Sequence, residues 1–289
     1  MTQAVSGTSG AEPRAPSVAR TAVVEDPASL SPGVVVGHGA YVAAGAVLGE
    51  GVQVGQGVVV EGGVRVGAGT RLLPGTVVHR GVELGARCTV GPYAVLGGEP
   101  MDTAFKGEES RVVVEDGVTL RDFVTVNRAT GEGAVTRVGA GTLVMSYAHV
   151  SHNCDVGRGC VLTTSVQLGG HTQVGDRANL GSSSLVHQHC RIGAYAMFGA
   201  GSATNQDVLP YAMARGNPAR HYRLNTVGLR RAGFAGERYE RLESAIRALR
   251  RRDLAALEEL AAVSGDAALL LEFVRTTKRG VAKFVTGAG

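Results

Sequence analysis

From Leu30 the chain advances in units of six: LSPGVV, VGHGAY, VAAGAV, LGEGVQ, VGQGVV, VEGGVR, VGAGTR, LLPGTV, VHRGVE, LGARCT and VGPYAV follow one another without a gap. The frame resumes at Val114 and Leu120 as VEDGVT and LRDFVT. From Val138 it runs through VGAGTL, VMSYAH, VSHNCD, VGRGCV, LTTSVQ, LGGHTQ, VGDRAN, LGSSSL, VHQHCR, IGAYAM and FGAGSA to Thr204. A helix repeats at 3.6 residues and a hairpin strand at two, so neither produces this period.

Each unit opens on Leu, Val or another large apolar residue. Its fifth position is small or β-branched, and Gly is frequent at the second and fourth. The first and fifth residues are therefore expected to point into a narrow shared core, while the Gly-rich turn between them changes the chain direction. Three units make one triangular coil. Stacked coils are parallel strands about 4.8 Å apart, so residues 18 apart lie above one another. The expected fold is an all-β solenoid, a parallel β-helix of hexapeptide repeats. A chain with 43 Gly, no Trp and 4% aromatic residues suits such a backbone better than a core of large side chains. The frame also places Cys88, Cys154, Cys160 and Cys190 at fifth positions, as small interior residues rather than redox or metal groups.

Two stretches interrupt the period, GGEPMDTAFKGEESR (97–111) and NRATGEGAVTR (127–137). Polar insertions that a closed solenoid does not need are expected to border a functional site. After GNPAR (216–220) the spacing becomes helical, as in Tyr239, Leu242, Ile246 and Leu249, with a break at SGD (264–266). Three regions are expected: a disordered extension over 1–17, the β-helix over 18–215, and a C-terminal α-helical domain over 216–289 capping one end.

The opening residues lack the apolar run of a signal peptide, and no 18 consecutive residues are apolar. A cytoplasmic protein without an integral membrane segment is expected. The net charge of +4 is uneven: residues 1–215 hold 15 Lys/Arg against 17 Asp/Glu, residues 216–289 hold 14 against 8. An acidic partner for the tail fits this balance. Nothing in the pattern points to nucleic acid.

The stretch SYAHVSHNC contains His149 and His152 in a chain with only 8 histidines. His152 is the third residue of its unit. One coil further on stands Gly170 beside His171, and a second coil adds Gln188 beside His187. One corner of three successive coils thus gathers these residues within roughly 10 Å along the axis. Such a corner suits acyl transfer: an imidazole can take a proton from a hydroxyl or an amine near neutral pH, and a glycine lets its N–H approach a developing oxyanion. A zinc site built on His149 and His152 with a third ligand from a subunit interface is one alternative; unreactive surface histidines are another.

AHVSHNCDVG, LGGHTQV, LVHQHCRIGA, RDFVTVNRAT, YAMARGNPA, RRAGF and FVRTTKRG together resemble the UDP-N-acetylglucosamine acyltransferases that open lipid A synthesis, over nearly the whole chain from Val18. The resemblance implies left-handed coils and a homotrimer with sites between subunits. It implies transfer of a 3-hydroxyacyl chain from acyl carrier protein to the 3-hydroxyl of UDP-N-acetylglucosamine, with no metal and no cofactor of the enzyme's own, since phosphopantetheine arrives on the carrier. By matching position, His152 is the general base and Gly170 the oxyanion donor. His149, Asn153, His171, His187 and Gln188 line the substrate site, Asp102 holds the nucleotide-sugar, Asn225 and Arg231 lie near the nucleotide, and Ala200 bounds the acyl pocket. Three positions depart from the family: Asn153 replaces an Asp beside the base, Ala104 a Lys, and Asn127 a His. Loss of the Asp charge removes an imidazolium stabiliser, so Asn153→Asp is expected to raise turnover.

GNPAR also recurs where coenzyme A-dependent hexapeptide acetyltransferases end, so a sugar-nucleotide N-acyl- or acetyltransferase is the alternative enzyme. A divergent copy acting on an amino analogue of the sugar is another. A non-catalytic solenoid scaffold is the reading from a different class, and it would not need His152.

Overall fold

A computed structural model of the chain describes residues 14–286. Most of the expected N-terminal extension lies outside the described residues, but Ser17–Val18 already pairs in parallel with Val35–Val36. From there the chain is a parallel β-solenoid whose coils cross three sheets in turn. Among the described residues, sheet I has 12 strands, from Ser17–Val18 to Ala219–Leu224; sheet II has 10, from Val23–Val24 to Ala203–Thr204; sheet III has 8, from Val47–Leu48 to Arg191–Ile192.

The six-residue period maps directly onto burial. First and fifth positions such as Val36, Ala40, Val42, Val52 and Val54 are at most 3% exposed, each large one contributing about 1.5–3 kcal/mol by leaving water. The fourth position takes a left-handed backbone throughout: Gly39 has φ 66° and Asn153 φ 58°. The second position is pressed against the next coil. At Gly91 a Cβ would fall 2.4 Å from the carbonyl carbon of Arg121, so only glycine allows that stacking. The cysteines behave as packing residues with a weak donor, Cys154 Sγ lying 3.2 Å from the carbonyl oxygen of Gly169 and Cys160 Sγ 3.2 Å from that of Gly175. Burial pushes their thiols up, Cys154 to about 12 and Cys160 to about 11.

Stacked partners are 18 apart wherever the frame is continuous, as in Val77↔Val95 and His149↔Gln167. The offset widens to 30 at Val95↔Thr125 and to 24 at Thr125↔His149. Both insertions therefore leave the solenoid at the same corner, between sheets II and III, on consecutive coils.

Past residue 215 the structure differs from the expected all-helical segment. Ala212–Gly216 and Ala219–Leu224 form an antiparallel hairpin that closes sheet I. Among the described residues, helices α1 (Thr226–Arg231), α2 (Gly236–Arg251), α3 (Leu254–Val263) and α4 (Gly265–Arg275) follow. The SGD break is where Ser264 ends α3 and caps α4, its hydroxyl accepting from the N–H of Ala267. Leu242, Ile246, Leu257 and Leu270 form a second core with Leu209 and Tyr211 of the last coil. Asp207, 1% exposed, accepts from the Arg191 backbone N–H at 2.8 Å, its Nε at 2.9 Å and the Thr277 hydroxyl at 2.7 Å, tying the solenoid to the tail. Among the described residues no helix is long and apolar enough to cross a membrane.

Candidate active site

The corner that expels both insertions continues, one coil on, as Ser151-His152-Asn153-Cys154. The insertions thus pack against His152 because the repeat stacks them there. Asn153 sits at the left-handed fourth position, which Asn tolerates better than most residues. Its carboxamide is gripped by the second insertion: Oδ1 accepts from the Thr130 N–H at 2.9 Å, and Nδ2 donates to the Thr130 carbonyl at 2.9 Å. This two-point pairing fixes which end of the amide is oxygen.

That oxygen also lies 2.9 Å from His152 Nδ1. An oxygen can only accept, so Nδ1 carries the hydrogen and the lone pair sits on Nε2. His152 is 7% exposed, and its ring lies over Gly170, where an added Cβ would be 2.5 Å from Nε2. The Gly170 N–H has no hydrogen-bond partner among the described residues. A proton acceptor and a free amide donor thus share one point on the surface.

Asp102, from the first insertion, places Oδ2 3.8 Å from His152 Nδ1. Its Oδ1 accepts from the Ala104 N–H at 2.9 Å. That bond first, then the charges of the nearby His152 and His171, hold its carboxyl below the usual range. His171 meets the His152 ring edge-on at 5.3 Å and stacks on His189 at 4.6 Å. Burial, then the charges of His189 and His152, lower its basicity. Burial also lowers that of His149, whose Nδ1 is 2.7 Å from the Thr125 hydroxyl.

His149, His152, Gly170, His187 and Gln188 line one cavity of about 620 Å³. It runs along sheet II past Leu185 and Ala203 to Pro218, an apolar strip leading away from the polar head at His152. Asp102 and His171 flank the head instead of lining the cavity. Asp102, His152 and His171 bring three metal-capable atoms within 4.8 Å of one another. His149, expected as the metal partner of His152, is not in that group.

Three expected site residues lie elsewhere on the chain. Ala200 is in the turn between sheets I and II. Asn225 is buried as the cap of α1, its Oδ1 accepting from the Gly228 N–H and its Nδ2 donating to the Tyr195 carbonyl. Arg231 ends α1. None lines the cavity around His152.

Sequence reasoning missed Thr130 and His189. His189 was accessible, being 18 residues beyond His171. Thr130 lies in an insertion, where the repeat gives no register. Asn127 also joins the insertions, its Nδ2 donating to the Gly98 and Glu99 carbonyls at 3.3 and 2.6 Å.

Residues 207–282 match the family described as UDP N-acetylglucosamine O-acyltransferase, domain 2, and residues 63–98 match the bacterial transferase hexapeptide repeat. The chain is 39% identical over 203 residues to the acyl-[acyl-carrier-protein]--UDP-N-acetylglucosamine O-acyltransferase of Burkholderia thailandensis, covering 66% of this chain and 78% of that one. Among solved structures it is similar to the UDP-N-acetylglucosamine acyltransferase of Bacteroides fragilis, with 31% identity, TM-score 0.80, and coverage of 84% of this chain and 98% of that one. It is also similar to LpxA of Acinetobacter baumannii, with 26% identity, TM-score 0.81, and coverage of 92% and 99%.

Proposed function

Because the chain belongs to the UDP-N-acetylglucosamine O-acyltransferase family, we propose that it moves a 3-hydroxyacyl chain from acyl carrier protein to the 3-hydroxyl of UDP-N-acetylglucosamine, opening lipid A synthesis. The observation that carries this reading is the placement of His152 Nε2 beside the unpartnered Gly170 N–H, at the head of a cavity that runs on past Leu185 and Ala203.

In this reading Nε2 takes the proton of the sugar 3-hydroxyl as its oxygen attacks the thioester carbon. The Gly170 N–H stabilises the oxyanion of the tetrahedral intermediate. Collapse breaks the C–S bond, and the imidazolium returns its proton to the leaving thiolate, which departs as the carrier's phosphopantetheine thiol. Atoms balance without metal or redox chemistry. Asn153 keeps the hydrogen on Nδ1 and so keeps Nε2 basic in the correct place.

His149, His171, His187, Gln188 and Asp102 surround the sugar-nucleotide, while the Leu185–Ala203 strip receives the acyl chain. Arg231 near the nucleotide and Ala200 at the acyl pocket, which line no part of this chain's own cavity, serve a neighbouring copy's cavity in a homotrimer, whereas Asn225, buried with its amide engaged, acts by capping α1. The basic segment 216–289 steers the acidic carrier protein by long-range attraction, and the reaction is placed in the cytoplasm.

The test is donor use. Purified protein with UDP-N-acetylglucosamine and a ladder of 3-hydroxyacyl carrier proteins should give a 3-O-acyl product by mass spectrometry, and acetyl coenzyme A should give none. Exclusive consumption of acetyl coenzyme A would remove this reading.

A further inference from the structure

The general base reading leaves the imidazolium that forms at His152 without a charged neighbour in sequence, because Asn153 is neutral. We propose that Asp102 supplies that charge from the first insertion, so that the two tasks usually asked of one carboxylate are divided: Asn153 fixes the ring's tautomer and Asp102 stabilises its protonated form. Asp102 is thereby a positioning and electrostatic residue for the base, in addition to any contact with the sugar-nucleotide.

The geometry supports the division on both sides. Asn153 Oδ1 is saturated by the Thr130 N–H and His152 Nδ1–H, and its Nδ2 is committed to the Thr130 carbonyl. A carboxylate in its place would face that carbonyl with no hydrogen to offer. Residue 153 is thus built for an amide. The Asp102 carboxylate is 3.8 Å from the same Nδ1, beside a residue only 7% exposed, where an opposite charge is weakly screened. Its orientation is set independently of the ring by the Ala104 N–H at 2.9 Å. Both contacts exist because the insertions leave consecutive coils at the corner that carries His152.

The inference rests on His152 being the base, and the experiment separates the two. His152→Ala should abolish turnover; if it does not, the base assignment falls. Asp102→Asn keeps the size and the acceptor for Ala104. It should lower kcat roughly tenfold or more while leaving KM within about twofold, as expected when an interaction made with the protonated ring in the transition state is lost. Asp102→Glu, which keeps the charge, should restore most of kcat. Thermal melts of both variants should match the wild type, which excludes unfolding as the cause. A rise in KM alone, with kcat unmoved, would make Asp102 a substrate ligand only and overturn the proposal while leaving His152 as base.

Discussion

The His152 ring fills the space that a side chain at residue 170 would need: a Cβ there lies 2.5 Å from both Cε1 and Nε2. Glycine at 170 is therefore required by the ring packed on it, apart from the oxyanion role proposed for its N–H. In Gly170→Ala the ring must swing off the Asn153 amide. Since displacement of a reacting group by about 1 Å costs on the order of a hundredfold, kcat should fall by about that factor. The solenoid itself should hold, with a melting temperature within a few degrees of wild type. Wild-type turnover in this variant would mean the ring is not held where it is drawn.

Asn153→Asp should lower turnover, the reverse of what the family pattern suggests. The substitution sets a carboxylate oxygen against the Thr130 carbonyl and removes the Nδ2 donor, at about 1–3 kcal/mol for a part-buried acceptor left unpaired. The second insertion should loosen with it. Limited proteolysis within residues 127–137, alongside kcat, reads both effects; a faster enzyme with an intact insertion would contradict the amide pairing.

The solenoid was legible because its signal is repeated more than twenty times: one slipped unit would move every first-position Val or Leu out of the core. Periodicity also located Gly170, His171, His187 and Gln188 relative to His152, since stacking converts an 18-residue spacing into contact. The same logic fails inside the insertions. Residues 97–111 and 127–137 have no repeat to fix their register, so the reach of Asp102 and the pairing of Thr130 with Asn153 are tertiary facts without a sequence pattern. The hairpin at 212–224 was hidden for another reason, because a single pair of strands has too little alternation to stand out before a helical tail.

Asp102, His152 and His171 present their ligand atoms within 4.8 Å of one another, so added zinc should compete for the proposed base. A bound cation would take up an imidazole lone pair and the carboxylate charge at once. Chelator should leave turnover unchanged, and micromolar zinc should lower it reversibly. Loss of activity on chelation would instead make a metal part of the reaction.

Asp207 is 1% exposed and accepts from Arg191 and Thr277. Asp207→Ala leaves the Arg191 guanidinium facing a cavity without its counter-charge, which typically costs about 3–5 kcal/mol. Arg191 also donates to the Phe273 carbonyl and the Thr276 hydroxyl at the end of α4. The tail should therefore detach before the coils melt. Hydrogen exchange should show lost protection in residues 265–286 with the central coils still protected. Uniform loss across both would mean that the pair does not act as a local tie.

His221 offers a pH test of the same junction. Its ring is wholly buried, with Nε2 accepting from the Leu209 N–H and Nδ1 donating to the Ala282 carbonyl, and burial lowers its pKa from 6.5 to about 4. Between those values the unfolded chain binds a proton at residue 221 that the folded chain refuses, so acid favours unfolding. The contribution is complete above pH 6.5 and is lost progressively as the pH falls toward 4, amounting to roughly 3 kcal/mol over the interval. Urea midpoints measured from pH 7.5 down to 4.5 should fall steadily in the wild type. His221→Gln retains an acceptor and a donor but does not titrate; its midpoints should start lower and decline less steeply. An unchanged slope in that variant would assign the acid sensitivity to other groups and leave the buried imidazole without a part in it.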